Sequence, residues 1–229
     1  MKRIYLHSTD IINKEKRLLI ERSNYDLRFL YSSEKDNYLK YIVDQTSDCN
    51  ICLDVGKSTR EYFPELKCKK VETLDINEFD DYPDIVADLC LPFPEDFIGR
   101  YDAIIALAIL EHVYNPFLAV ENLYKLLNAN GQLFLYVPFL YRYHAPDDLQ
   151  FQDYFRFSRD AIAILLHEFS AITIYPVRGR ISTIAALLPG WKNVIEKNFG
   201  TWANRLLDKL STDKTNFVQA SGYYVHCRK

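Results

Sequence analysis

The stretch 50–75, NICLDVGKSTREYFPELKCKKVETLD, constrains the fold more than any other part of the chain. Two short apolar runs, ICLDV and KVETLD, are closed by a turn residue and a carboxylate, the pattern of parallel strands covered on both faces. The first run leads into Asp54-x-Gly56-x-Ser58. A backbone that turns sharply off a strand end needs a residue without a Cβ, and Gly56 supplies it. Asp75 follows Asp54 by 21 positions. A carboxylate about 20 residues beyond such a turn is placed to accept from both ribose hydroxyls of a nucleoside. The pattern suits an adenosine-containing ligand.

Two phosphate-binding alternatives fail on spacing. A dinucleotide fingerprint needs glycines where Ser58 and Glu61 stand. A phosphate loop ending in Gly56-Lys57-Ser58 would begin at Ile51, inside the first strand.

With 229 residues, the chain is long enough for one sizeable core and predicts a single α/β domain with additions. A net charge of −3 provides no broad basic face, so nucleic acid is not an expected partner. The start, MKRIYLHSTDIINKEK, is too polar for a secretory leader, and no apolar run reaches the roughly 18 residues of a membrane span. The five cysteines, an odd number, fit a reducing compartment, and a cytoplasmic protein is expected. Cys49-x-x-Cys52 has no second Cys/His pair at zinc spacing, so core packing is expected of it and no metal site.

Residues 10–45 carry apolar positions at mixed three- and four-residue intervals, with Ser23-Asn24 and Ser32-Ser33 as breaks or caps. They predict an N-terminal helical cap over residues 1–48, lying on a domain formed by 49–229. From residue 50 strands alternate with helices, the signature of a doubly wound sheet. Strands are expected at 50–55, 70–75, 84–87, 102–107, 132–138, 171–177 and 222–227. Asn115-Pro116 starts a helix that Asn130-Gly131 closes. A helical insertion at about 181–216 precedes the last strand and is suited to cover either a substrate or a second subunit of a homodimer.

Six segments stand in a recognisable order: Asp54-Val55-Gly56; Thr73-Leu74-Asp75-Ile76; Ala87-Asp88-Leu89 with Leu91-Pro92-Phe93; Tyr101-Asp102-Ala103-Ile104-Ile105; Leu110-Glu111-His112-Val113; and Asn130-Gly131-Gln132-Leu133. Over about residues 48–177 the chain resembles class I S-adenosylmethionine-dependent methyltransferases of the small-molecule type. The segment from Val137-Pro138-Phe139 to Asp153-Tyr154-Phe155-Arg156-Phe157-Ser158 is similar to that of members found among bacterial glycan-synthesis genes. The resemblance implies a Rossmann-like, seven-stranded sheet, mostly parallel with its last strand antiparallel. It also implies S-adenosylmethionine as cofactor. Asp54, Gly56 and Ser58 would meet the methionine end, Asp75 the ribose, Ile76 and Leu107 the apolar walls, and Asp88 with the Leu89 amide the adenine edge.

Ligands of open α/β sheets sit beyond the carboxyl ends of the strands, so the acceptor should meet the loops after the fourth and fifth strands. There His144 is the expected base, because its unperturbed pKa is nearest neutrality. Tyr154 and Arg156 are expected to shape and hold the acceptor, or else Tyr154-Phe155-Arg156 to anchor the loop to the sheet. His112 is expected to cap the helix or support the loop. The reading is methyl transfer to an oxygen of a small molecule or sugar. The alternative, motivated by Ser58 and Arg60 in place of the usual glycines, is a catalytically degenerate relative with a binding or assembly role.

Overall fold

Short apolar runs bounded by turn residues build the sheet. The computed structural model describes residues 23–25, 35–56, 66–146, 151–191, 195, 197–199, 202–210 and 216–229. Its strands are β1 (Ser23–Tyr25), β2 (Ile51–Val55), β3 (Lys70–Asp75), β4 (Ile85–Val86), β5 (Tyr101–Leu107), β6 (Leu127–Pro138), β7 (Ala171–Val177) and β8 (Gly222–Arg228). They form one sheet in the order β1-β7-β8-β6-β5-β2-β3-β4. All neighbours are parallel except β8, which runs antiparallel to both β6 and β7. The seven expected strands are present, the last of them antiparallel, and β1 is an eighth.

That strand is a correction within 10–45. Ser23-Asn24, expected as a break between helices, instead begins β1, which pairs with β7 from Ser23–Ile172 to Tyr25–Ile174. The open edge of β7 would otherwise present unpaired backbone groups, and three extended residues satisfy them. The helical expectation holds at α1 (Lys35–Gln45); the rest of 10–34 lies outside the described residues.

Successive side chains point to opposite faces, and each face has its own core. Leu53, Val55, Ile104, Leu133, Leu135 and Val225 pack on one side with α2 (Pro116–Leu126) and α3 (Arg159–Leu165). Cys52, Ala103, Ile105, Phe134 and Tyr224 pack on the other with α1. There Tyr38 stacks on Tyr224 at 4.1 Å and donates to the Val225 carbonyl at 2.8 Å. Cys49, Cys52 and Cys68 are buried free thiols of this second core, the expected packing role.

Helix α2 starts where its sequence says. Asn115 Oδ1 accepts from Leu118 N at 3.2 Å, with Pro116 in the first turn. In the insertion, α4 (Arg180–Leu187) is capped from outside. Asp208 on α5 (Trp202–Lys209) accepts from Gly179 N at 2.9 Å, Ser182 N at 3.1 Å and Ser182 Oγ at 2.7 Å. None of the described helices is long and apolar enough to cross a membrane.

Candidate active site

In the strand order, β2 stands between β3, to which the chain moves next, and β5, to which it returns. A crevice opens at such a switch point, outside the carboxyl ends of the strands. Here it is a cavity of about 670 Å³ lined from β2, β3 and β5 and from the loops that follow them.

Gly56 ends β2 with φ +70° and donates to the Leu74 carbonyl at 2.8 Å. A Cβ there would meet only the movable tip of the Ile109 side chain, Cδ1 at 2.2 Å, so it is the dihedral that calls for glycine. Asp75 ends β3; its Oδ1 accepts from Asn77 N at 2.9 Å, and its other oxygen has no partner among the described residues. Asp88 is arranged alike, with Oδ1 accepting from Cys90 N at 2.8 Å. Each carboxylate is thus fixed by a local turn and keeps one oxygen for a ligand. Ile76 is 60% exposed at the wall and Phe79 40%, apolar surface of the kind a flat ring would cover.

Gly56, Asp75, Ile76, Asp88, Leu89 and Leu107 all line the cavity. Asp54 does not: it is fully buried, paired with Thr73 and Ile105 in the sheet. Alternation turns it to the Cys52 face, and it is Val55 and Gly56 that reach the cavity. Ser58 and Arg60 lie outside the described residues.

The opposite wall carries His112, Phe151, Gln152 and Tyr154. Sequence reasoning missed Ala108, which has φ 59° between Leu107 and Ile109 on the wall. A non-glycine residue held in that region is strained, and alanine gives no hint of it in a sequence.

Beside this wall is a group of three. Glu111 is 1% exposed, and neither carboxylate oxygen has a hydrogen-bond partner among the described residues. Burial pushes its carboxyl up to about 8. Its Oε1 lies 3.7 Å from His112 Nε2 and 3.8 Å from His144 Nε2, beyond hydrogen-bonding distance. The two rings meet edge to face at 4.9 Å. Burial lowers the His112 pKa.

His112 does support the loop as expected, its Nδ1 donating to the Gln152 carbonyl at 2.6 Å, yet its ring also forms part of the cavity wall. His144, the expected base, is set behind it and does not line the cavity. Tyr154 is 53% exposed on the wall.

Arg156 anchors the loop. Nε donates to the Tyr141 carbonyl, Nη1 to Asp153 and the Phe155 carbonyl, and Nη2 to Asp153 and the Arg142 carbonyl. All five of its N–H groups are engaged, which leaves none for an acceptor. The guanidinium holds the Asp153 carboxyl down at about 2. Asp153 in turn accepts from His144 N at 3.0 Å and lies 3.1 Å from His144 Nδ1.

No protein-family model matches the chain, and no curated protein matches it. Solved structures do. A SAM-dependent methyltransferase from Archaeoglobus fulgidus superposes with a TM-score of 0.53 at 14% identity, covering 97% of this chain and 100% of that one. The N-methyltransferase NodS from Bradyrhizobium japonicum, solved with S-adenosyl-L-homocysteine, gives 0.50 at 12%, covering 95% and 98%. The [4+2]-cyclase SpnF gives 0.51 at 14%, covering 96% and 93%. At such identities the likeness is one of fold, and the chain has the fold of the S-adenosylmethionine-dependent methyltransferases.

Proposed function

We propose that the protein is an S-adenosylmethionine-dependent methyltransferase acting on an oxygen of a small molecule or sugar. The observation that carries the reading is the joining of Gly56, Asp75 and Asp88, far apart in the chain, on one cavity at the switch point of the sheet. The residues present fit the cofactor. Asp75 offers a fixed carboxylate oxygen to ribose hydroxyls, and Ile76 and Phe79 offer exposed apolar surface to adenine. Asp88 offers an acceptor for an exocyclic amine, and Gly56 keeps the turn open. The cofactor, when bound, supplies a methyl group on a sulfonium centre.

What remains for the protein is to orient an acceptor, exclude water and take up a proton. Phe151 and Tyr154 supply apolar walls for the acceptor, and the Glu111–His112–His144 group receives the proton of its hydroxyl. Arg156 keeps the loop that carries His144 in place.

The test is thermal unfolding with S-adenosylmethionine, S-adenosylhomocysteine or NAD. At about a hundredfold excess over its dissociation constant a ligand adds roughly 2.7 kcal/mol, a rise of roughly 5 to 10 °C for a chain of this length. The first two should raise the midpoint and NAD should not. No rise with either sulfur ligand would sink the reading.

A further inference from the structure

Glu111, His112 and His144 are arranged for something that none of them supplies to the others. The ligand atoms of all three lie within 4.8 Å of one another. Yet the Glu111 carboxylate makes no hydrogen bond among the described residues, although it is 1% exposed. A buried carboxylate without a donor costs several kcal/mol by order of magnitude, unless a cation completes it.

The two imidazoles settle which atoms face the gap. His112 Nδ1 bonds the Gln152 carbonyl at 2.6 Å, and His144 Nδ1 is 3.1 Å from Asp153 Oδ2 and 3.4 Å from the Arg142 carbonyl. Carbonyl and carboxylate oxygens only accept, so both Nδ1 atoms carry the proton and both Nε2 atoms present a lone pair toward Glu111. An imidazole that donates one nitrogen to a backbone carbonyl or a carboxylate, and offers the other, is the usual outer arrangement around a bound metal. Asp153 is itself held by Arg156, so the orientation of His144 is fixed at two removes.

We propose that Glu111, His112 and His144 bind one divalent transition-metal ion at the rim of the cavity. Metal bonds of about 2.0 to 2.2 Å bring neighbouring ligand atoms to within about 3.0 to 3.6 Å of each other. The observed 3.7 and 3.8 Å, with the three ligand atoms inside 4.8 Å of one another, require the side chains to close by up to roughly 1 Å. Two imidazoles and one carboxylate select zinc, cobalt, manganese or iron(II) over calcium and magnesium, which favour all-oxygen sites. Three protein ligands leave positions open for an oxygen of the acceptor. A hydroxyl bound there would ionise near neutral pH and lose its proton to solvent, and the group would then promote deprotonation through the ion and not by accepting the proton on its own carboxylate or imidazoles. That role rests on the methyltransferase reading; the binding itself does not.

Protein stripped with a chelator and dialysed is titrated with Co²⁺, followed by its visible absorption, and with Zn²⁺ in competition. One ion per chain is expected, with Glu111→Gln and His144→Gln each weakening binding at least tenfold. Asp153→Asn, at a residue that is no ligand but orients His144, should weaken it about tenfold. The titration of the wild-type chain needs no variant to fold, and His144, partly exposed, tolerates replacement. Failure of the wild-type chain to bind either ion would overturn the proposal, as would binding by Glu111→Gln and His144→Gln as tight as that of the wild type. The S-adenosylhomocysteine shift is measured with chelator present. A shift without metal binding sinks the metal site alone, and metal binding without a shift sinks the cofactor reading alone.

Discussion

Glu72 and Glu111 are both buried glutamates beside the same sheet, 6% and 1% exposed, and they are opposites. Burial works to raise the Glu72 carboxyl, but bonds from Lys70, Arg100 and the Tyr101 hydroxyl outweigh it and hold the group at about 2. Glu111 meets the same cost of burial with no donor at all among the described residues, and it stands at about 8. A folded chain satisfies a buried carboxylate where the group serves the fold. An unsatisfied one beside a cavity marks a place where something else binds.

The largest expected effects fall on these two residues in different measurements. Glu72→Ala leaves Arg100 and the Tyr101 hydroxyl without their acceptor, and should cost about 3 kcal/mol of stability. On that basis the unfolding midpoint drops by roughly 6 to 12 °C, with the S-adenosylhomocysteine shift intact. Glu111→Gln should leave the midpoint unchanged or higher while turnover falls about a hundredfold, equivalent to roughly 2.7 kcal/mol of barrier. Should Glu111→Gln unfold the protein as Glu72→Ala does, the contrast between the two collapses.

Their pH dependences should also oppose. The folded pKa of Glu72 lies below its ordinary 4.5, so its stabilisation is complete above that value and lost as pH falls toward about 2. A shift of that size is worth about 3 kcal/mol. The folded pKa of Glu111 lies above its ordinary 4.5, so the metal-free protein loses stability as pH rises from there toward about 8. Urea unfolding across pH should show a rise in acid and a decline toward pH 8, with the decline absent in Glu111→Gln.

On the cavity's other wall, Asp75→Ala should weaken cofactor binding by more than His144→Ala does, roughly tenfold against little change, the cost of losing charge-assisted bonds to ribose. Equal losses by isothermal titration would mean that the two walls do not divide the work as described.

The sheet was legible because short apolar runs and the turn chemistry that closes them are local. Gly56 and Asp75 could be placed on the cavity from spacing alone. Asp54 could not, because which face a strand residue takes depends on neighbours not yet assembled. The strand Ser23–Tyr25 was hidden for a similar reason: its partner edge, β7, is about 150 residues away in the chain. Sequence reasoning named His144 as the base from its pKa; that His112, and not His144, lines the cavity was hidden, since a lone imidazole in a loop gives no sign of its neighbours. It read Arg156 both ways, and only the five engaged donors decided for the anchor. Burial of Glu111 was invisible, because carboxylates are seldom buried and nothing in Leu110-Glu111-His112-Val113 marks this one.

Asp208 offers the smallest and most discriminating change. Like Glu72 it is a buried carboxylate, 6% exposed, and like Glu72 it is satisfied, here by two backbone N–H groups and a hydroxyl at the start of α4. Asp208→Asn keeps one acceptor oxygen and the shape of the side chain but removes the charge that faces the helix N-terminus. A capping interaction of this kind contributes about 1 kcal/mol, so the midpoint should fall by roughly 2 to 4 °C. Because the helix pair α4 and α5 belongs to the insertion before β8, and the residues lining the cavity do not, Co²⁺ affinity and the S-adenosylhomocysteine shift should both remain at wild-type values. A loss of either would show that the insertion helps to shape the site, and that satisfied carboxylates in this molecule do not serve the fold alone.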